Sequence, residues 1–391
     1  MEKIIYADHS ATTPIKNEVL KDMLPYFKCN FGNASSNYSI GRISKAAINK
    51  ARRQVATAIG CDTDEIYFTS GGSESDNLAL KGIAYANKSK GKHIITSKIE
   101  HLAVLNTCKK LEEEGFEVTY LDVNKNGIVS LDLLKNAIRK DTILISIMMA
   151  NNEIGTLQPI DEIGKIAKKH NIFFHTDAVQ AIGAMKIDVR ALNIDSLSLS
   201  SHKFYGPKGI GALYVKKGID FEPIIHGGHQ EACKRAGTEN IPNIVGLGKA
   251  IEIATSNIAE KTNKLVDLRD LLINKIELTI PNTILNGDRT ERLPSNVNFC
   301  IKGIDSESLL LMLDMNGICA SSGSACTSGD VKPSHVLKAI GLTDELAKTS
   351  VRFTLGTDNS VEDVDNIAYL LKKIVVKLRN KRISKNSICN C

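Results

Sequence analysis

IYFTS (66–70), HIITS (93–97), VTYLDV (118–123), TILISIMMA (142–150), IFFHTD (172–177), SLSLSS (196–201) and GALYV (211–215) are seven short β-rich runs. Helical patterns such as HLAVLNTCKKLEEEG (101–115) and IDEIGKIAKKH (160–170) lie between them. Alternation of this kind implies an α/β architecture, because each strand must find a helix to cover it. Several runs are apolar on successive residues rather than every second one, which suits strands buried on both faces of a mostly parallel sheet. The expected fold is a mostly parallel seven-stranded sheet sandwiched by helices.

Working outward, RISKAAINKARRQVATAIG (42–60) places Ile43, Ala46, Ala47, Ala51, Val55 and Ala58 near a helical period, with Gly60 as the stop. After Pro242 a helical pattern runs to about Leu278 and is expected to bridge two domains. It is followed by strand-like TILNG (283–287) and NVNFCI (296–301), helix ESLLLMLDMNG (307–317), strand SVRFTL (350–355) and a final helix. This second part reads as a smaller α+β domain. The expected division is 16–255 for the large domain, with 1–15 and 256–391 forming the small one. A chain of 391 residues, 42% of them hydrophobic, is long enough for two cores.

Composition narrows the function. The formal net charge is +6, but acidic and basic residues are interleaved over most of the length, so no nucleic-acid-binding face is expected. The C-terminal cluster of Lys372, Lys373, Lys377, Arg379, Lys381, Arg382 and Lys385 reads as a solvated helix face. The longest apolar run, TILISIMMA, is half of what a membrane span needs, and no leader pattern opens the chain, so a cytoplasmic protein is expected. Nine cysteines without framework spacing suit a reducing compartment. Cys319, Cys326, Cys389 and Cys391 match no standard zinc spacing, and no metal site is expected, although Cys389 and Cys391 leave open metal binding, sulfur relay or an inert tail.

In open α/β sheets ligands gather beyond the carboxyl ends of the strands. After IYFTS comes GGSESDN (71–77) and an apolar helix, a candidate phosphate cup, although an ordinary capped loop reads the same way. His101 follows HIITSKIE, Asn151 and Asn152 follow TILISIMMA, and IFFHT leads into Asp177 and Gln180. Each alone reads equally as a turn or cap residue, but all face one mouth. SLSLSS is followed by His202 and Lys203, in a loop rich in glycine. A positioned, partly desolvated lysine amine forms a Schiff base with an aldehyde, and an acid such as Asp177 would keep a pyridine nitrogen protonated. Cup, acid and lysine together suggest pyridoxal phosphate. Finally, SSGSACTSG (321–329) sets Cys326 among small residues, which suits an accessible thiol better than a core cysteine.

DHSATTP (8–14), FGNASS (31–36), TSGGSESDN (69–77), EHLAVL (100–105), NNEIG (151–155) and HTDAVQ (175–180) run in order along the chain. They continue with SSHKFYGPKGIGALYV (200–215), RAGTEN (235–240), SSGSACTSG and VRFTLG (351–356). In that order and spacing the chain resembles the cysteine desulfurases of the NifS/IscS type. These belong to the class V aminotransferase group of fold-type I pyridoxal-phosphate enzymes. The resemblance implies that Lys203 joins pyridoxal 5′-phosphate, Asp177 holds its ring nitrogen, Gln180 contacts the ring hydroxyl and His101 stacks on the ring. Gly72, Ser73, Ser200, His202 and, from the partner subunit of a homodimer, Thr238 would hold the phosphate.

Asn152, also beside the cofactor, and Arg352 would bind the carboxylate of L-cysteine. His101 and Lys203 would move protons, alanine would leave, and a persulfide would remain on Cys326 for a sulfur-acceptor protein such as an iron–sulfur scaffold. Cys326 in SSGSACTSG places the chain with the long-loop group. Selenocysteine lyase or another class V activity is the alternative. Two stretches depart from the family pattern: HGGHQEACKRAGT (226–238), where His229, Ala232 and Cys233 replace the usual glycine and arginine-glycine, and the tail ISKNSICNC (383–391).

Overall fold

The computed structural model describes residues 4–322 and 333–388. Its strands are β1 (Ile5–Tyr6), β2 (Ile66–Thr69), β3 (His93–Ser97), β4 (Glu117–Leu121), β5 (Thr142–Ser146) and β6 (Phe173–Asp177). They continue with β7 (Ser196–Ser200), β8 (Gly211–Val215), β9 (Thr283–Leu285), β10 (Asn296–Ile301), β11 (Ile318–Cys319) and β12 (Ser350–Thr354). Seven make one sheet in the order β2-β8-β7-β6-β5-β3-β4. It is parallel except that β8 runs antiparallel to both β2 and β7. The expected sheet is therefore present, built from the seven β-rich runs between Ile66 and Val215.

Every residue of β3, β5, β7 and β8 is buried, the physical reason those runs carry no polar alternation. The helices that position the site are α1 (Ser39–Ile59), α2 (Gly72–Asn87), α3 (Leu102–Glu113), α4 (Ile241–Thr255), α5 (Ile258–Thr279), α6 (Ser306–Asp314) and α7 (Val361–Ile388). Successive strand residues serve opposite layers. Ile94, Leu144 and Leu213 pack with Leu78 and Ile83 of α2 and Val104 of α3. Ile95, Ile145 and Leu197 pack with Val55 of α1 and Leu247 and Ile251 of α4. Each such fully buried aliphatic side chain contributes roughly 1.5–3 kcal/mol relative to exposure.

Two helical expectations need correction. In α1 the buried face is Gly41, Ser44, Ala47, Ile48, Ala51, Val55, Ala56 and Ile59, while Ile43 and Ala46 are exposed. Polar Ser44 is buried because its hydroxyl bonds the Asn30 carbonyl (3.2 Å), something hydrophobic periodicity does not register. Gly60 does end the helix, with φ of 75°. The pattern from Pro242 to Leu278 is two helices rather than one: α4 ends at Thr255, and Asn257 adopts a left-handed φ of 51° before α5.

A second, antiparallel sheet in the order β12-β10-β9 packs with α5, α6 and α7 around Leu272, Ile276, Phe299, Leu309, Phe353 and Leu371. This is the smaller α+β unit. The segment from Ile5 to Thr13 stitches it to the large sheet. β1 pairs in parallel with β11, Ile5 and Ala7 enter the second core, and the backbone N–H of Thr13 donates to the His202 carbonyl at 2.9 Å. Among the described residues no helix is long and apolar enough to cross a membrane.

Candidate active site

The site lies at the carboxyl ends of the parallel strands, where the doubly wound arrangement leaves backbone groups without sheet partners. β6 ends at Asp177; β7 ends at Ser200 and turns through a 3-10 segment, Ser201–Lys203. The amine of Lys203 donates to the carbonyls of Ser10 (2.5 Å) and Ala11 (2.8 Å). The side-chain amide of Gln180 donates to the same Ser10 carbonyl at 3.1 Å. Lys203, Gln180 and Ser10 line one pocket together with His9, Tyr205 and Thr357. His101 and Ser73 line a neighbouring cleft.

His101 is the N-cap of α3, its Nδ1 accepting the Ala103 N–H at 3.1 Å. In a neutral ring this leaves the proton on Nε2. The ring is held neutral: burial pushes its pKa down, with the Asp177 carboxylate opposing and Lys203 adding to the drop. Burial raises Asp177, opposed by His101, by the Val179 N–H that its Oδ1 accepts at 2.9 Å, and by Lys203. His202 falls to about 4 through burial, then Lys203 and Lys208, and its Nδ1 meets the Thr12 hydroxyl at 3.1 Å.

The cup at the start of α2 is tight. A Cβ built on Gly72 would lie 2.8 Å from Val179 Cγ2 and 3.5 Å from the Cβ of buried Ser200, so only glycine leaves the helix N-terminus open there. Ser73 follows it, exposed. Arg352 comes from β12 and is 2% exposed. It donates through one terminal nitrogen to the Asn152 carbonyl (3.0 Å) and through the other to Asp8 (2.8 Å), whose second oxygen accepts the Ser321 hydroxyl (2.6 Å). Among the described residues its Nε, which is buried, has no hydrogen-bond partner.

Asn151, by contrast, is a turn residue. Its side chain accepts the N–H groups of Glu153 and Ile154 and donates to the Ile99 carbonyl.

The remaining expectations fall elsewhere. Thr238 is exposed, outside the residues lining either pocket. It follows Arg235, whose guanidinium pairs with Glu74 of α2 at 2.8 Å. In the departing stretch, Glu231, Ala232 and Cys233 all have positive φ. Glu231 is held there by Arg52 at 2.7 Å and by the Phe68 N–H at 2.8 Å, contacts that a motif scan does not contain. Cys326, Cys389 and Cys391 lie outside the described residues.

Sequence reasoning also missed Asp8 and Ser10, although both stand in DHSATTP, and Asp76, which the helical period of α2 turns inward. Asp76 is 1% exposed, and it, His101 and Asp177 each place one oxygen or ring nitrogen within 4.8 Å of the others.

The model of the aminotransferase class-V family matches residues 5–367, nearly the whole chain. The chain belongs to that family. It is 61% identical to a cysteine desulfurase IscS of Methanosarcina thermophila over 97% of this chain and 93% of the relative. A solved NifS-like protein superposes with a TM-score of 0.89 at 37% identity, covering 96% of this chain and 99% of its own. A solved SspA in complex with cysteine superposes with a TM-score of 0.79 at 40% identity, covering 90% and 98%.

Class V enzymes of this type depend on pyridoxal phosphate. The residues present fit that group. An open helix N-terminus kept clear by Gly72 suits a phosphate, buried Asp177 suits a pyridinium nitrogen, and Lys203 brings an amine into the same mouth.

Proposed function

We propose that this chain is a pyridoxal-phosphate-dependent cysteine desulfurase that converts L-cysteine to L-alanine and takes the sulfur onto Cys326 as a persulfide. The observation that carries the reading is the meeting of Lys203, Asp177 and His101, from three different strand ends, in one mouth. Bound there, pyridoxal phosphate supplies an electron sink for the bonds broken at the substrate's Cα and Cβ.

The chain's own residues do the rest. Lys203 would hold the aldehyde carbon, Asp177 the ring nitrogen, Gln180 the ring hydroxyl and His101 a ring face, with Asn152 alongside. Gly72, Ser73, Ser200 and His202 would hold the phosphate, completed by Thr238 from a partner subunit. Arg352, whose Nε has no hydrogen-bond partner among the described residues, would meet the substrate carboxylate beside Asn152. Lys203 takes the Cα proton, and its carbonyl cradle at Ser10 and Ala11 fixes where the amine rests. The Cys326 thiolate attacks the substrate sulfur, forming the S–S bond as the Cβ–S bond breaks. The freed electron pair is protonated at Cβ, with His101 and Lys203 moving the protons, so no outside oxidant is required.

A homodimer is supported by exposed Thr238 and by the solvent-facing apolar side chains Leu24, Phe27, Phe31 and Tyr38. The persulfide would pass to an acceptor protein of the iron–sulfur scaffold class, in keeping with the IscS name of its relatives. The free thiols of Cys29, Cys61, Cys108, Cys233, Cys300 and Cys319 suit a cytoplasmic location. The same reading divides the chain into 16–255 as the coenzyme-binding unit and 1–15 with 256–391 as the smaller one.

The test is to give purified, coenzyme-loaded protein L-cysteine and a reductant and measure alanine and sulfide. Equimolar products are expected, falling by at least about 10³-fold in Lys203→Ala. Alanine and sulfide formation that survives Lys203→Ala would overturn the reading. Loss of sulfide in Cys326→Ser with the bound-coenzyme spectrum intact is expected, whereas activity left unchanged by Cys326→Ser would instead identify an aminotransferase.

A further inference from the structure

The carboxyl group of Asp76 has no place in the roles assigned above, yet it sits among the residues that carry them. Its Oδ1 is buried, has no hydrogen-bond partner among the described residues and lies 3.7 Å from His175 Nε2. His175 is itself fully buried, with Nδ1 meeting Ser146 Oγ at 2.9 Å and Nε2 meeting Ser198 Oγ at 3.0 Å. Both ring nitrogens are thus engaged by hydroxyls, one as donor and one as acceptor, which a neutral imidazole satisfies without charge. Among the described residues no lysine or arginine forms an ion pair with Asp76.

Asp177 is placed differently. It accepts a backbone N–H from Val179 and stands beside Lys203 and His101. Two carboxylates this close in a water-poor pocket do not both ionise, and the proton goes to the one with less positive surroundings. The groups facing Asp76 from the elements around it are His175 and Asp177 on β6, Ser198 on β7, and Glu100 and His101 before α3. None of them offers it a fixed positive charge. Burial, the Asp177 charge and Glu100 all push its proton affinity up, against the Ser198 hydroxyl.

We propose that Asp76 is a positioning residue that acts as an uncharged carboxylic acid. It leaves Asp177 as the single negative charge at the ring-nitrogen end of the site and, through Ser198 and His175, fixes the strand ends that carry Asp177 and Lys203. The proposal deepens the coenzyme-site reading and rests on it. It explains why an acid is tolerated at a position where a second negative charge would compete with Asp177 for the coenzyme's proton. It also predicts that an amide of the same shape serves equally well.

The experiment compares infrared spectra of full-length wild type and Asp76→Asn, coenzyme-free and coenzyme-saturated, at neutral pH. The expected difference is loss of a protonated-carboxyl band with no change in the carboxylate region. Glu100→Gln and Glu153→Gln mark the bands of those two buried acids. Loss of a carboxylate band in Asp76→Asn overturns the proposal.

In kinetics, Asp76→Ala should lower kcat/KM by about tenfold and shift the visible absorption of the bound coenzyme, while Asp76→Asn restores both to within about threefold. An amide as damaging as alanine also overturns it. Should Asp76→Asn fail to fold, Ser198→Ala leaves both acids in place and must move the protonated band to a less hydrogen-bonded position; an unmoved band counts against the proposal. Because the coenzyme-free spectrum reads Asp76 alone, its failure is separable from a failure of Lys203→Ala to abolish the reaction.

Discussion

The mouth of the seven-stranded sheet and the face of the three-stranded sheet bring charge into the site by opposite means. At the large sheet the carboxyl and imidazole groups are Asp76, Glu100, His101, Asp177, His175 and His202, and burial is the first cause of every one of their shifts. Their proton affinities are set first by desolvation. From the small sheet comes Arg352, whose guanidinium is fixed in place by Asp8, 344 positions away in sequence. The lesson is that proton-handling groups are tuned by what is removed, namely water, whereas the substrate handle is held by what is added, a fixed counter-ion.

The largest effect expected from this contrast comes from breaking the second device. Arg352→Ala leaves Asp8 partly buried without its cation and should cost about 3–5 kcal/mol of stability, read by denaturant unfolding. It should also raise KM for cysteine. Arg352→Lys should recover part of the stability but not the affinity, since an ammonium lacks the planar fork that meets a carboxylate edge-on. If the lysine variant binds cysteine as tightly as wild type, the handle is elsewhere.

An intermediate effect tests the first device. Burial lifts Glu100 from 4.5 to about 8, while the Ser97 hydroxyl and Met148 N–H oppose it. The folded protein therefore keeps a proton that the unfolded chain has released between those values. Glu100's contribution to stability is complete below 4.5 and is lost as the pH rises to about 8. Glu100→Gln does not titrate, so its Tm relative to wild type should climb across that window by on the order of a few degrees.

His175 has the opposite sign. Burial lowers it from 6.5 to about 3, so its contribution is complete above 6.5 and is lost as pH falls toward 3. A Tm difference for Glu100→Gln that is flat with pH would show that water reaches the carboxyl.

The smallest effect is the surface control. Lys98 and Asp122 pair at 2.6 Å but are 47% and 68% exposed, and Lys98→Ala should change stability by less than about 1 kcal/mol by the same denaturant assay. A larger loss would mean that proximity alone, without burial, carries energy in this protein.

The seven strands, the glycine stop after α1 and the positions of Lys203, Asp177 and His101 at strand ends were legible because each depends on local pattern or on a rule of α/β sheets. The break between α4 and α5 was less so, since it turns on one residue, Asn257, adopting a left-handed conformation that its composition permits but does not require.

By itself the sequence determined which segments become buried strands and which residue types arrive at their ends, because side-chain periodicity and backbone propensity are properties of neighbours in the chain. Only the tertiary structure decided that the carbonyls of Ser10 and Ala11 would cradle Lys203, that Asp8 would hold Arg352, and that Asp76 would face Asp177. Those pairings join residues far apart in sequence. Their energies depend on distance and on the exclusion of water, neither of which exists until the sheet, its helices and the first residues of the chain have closed around one another.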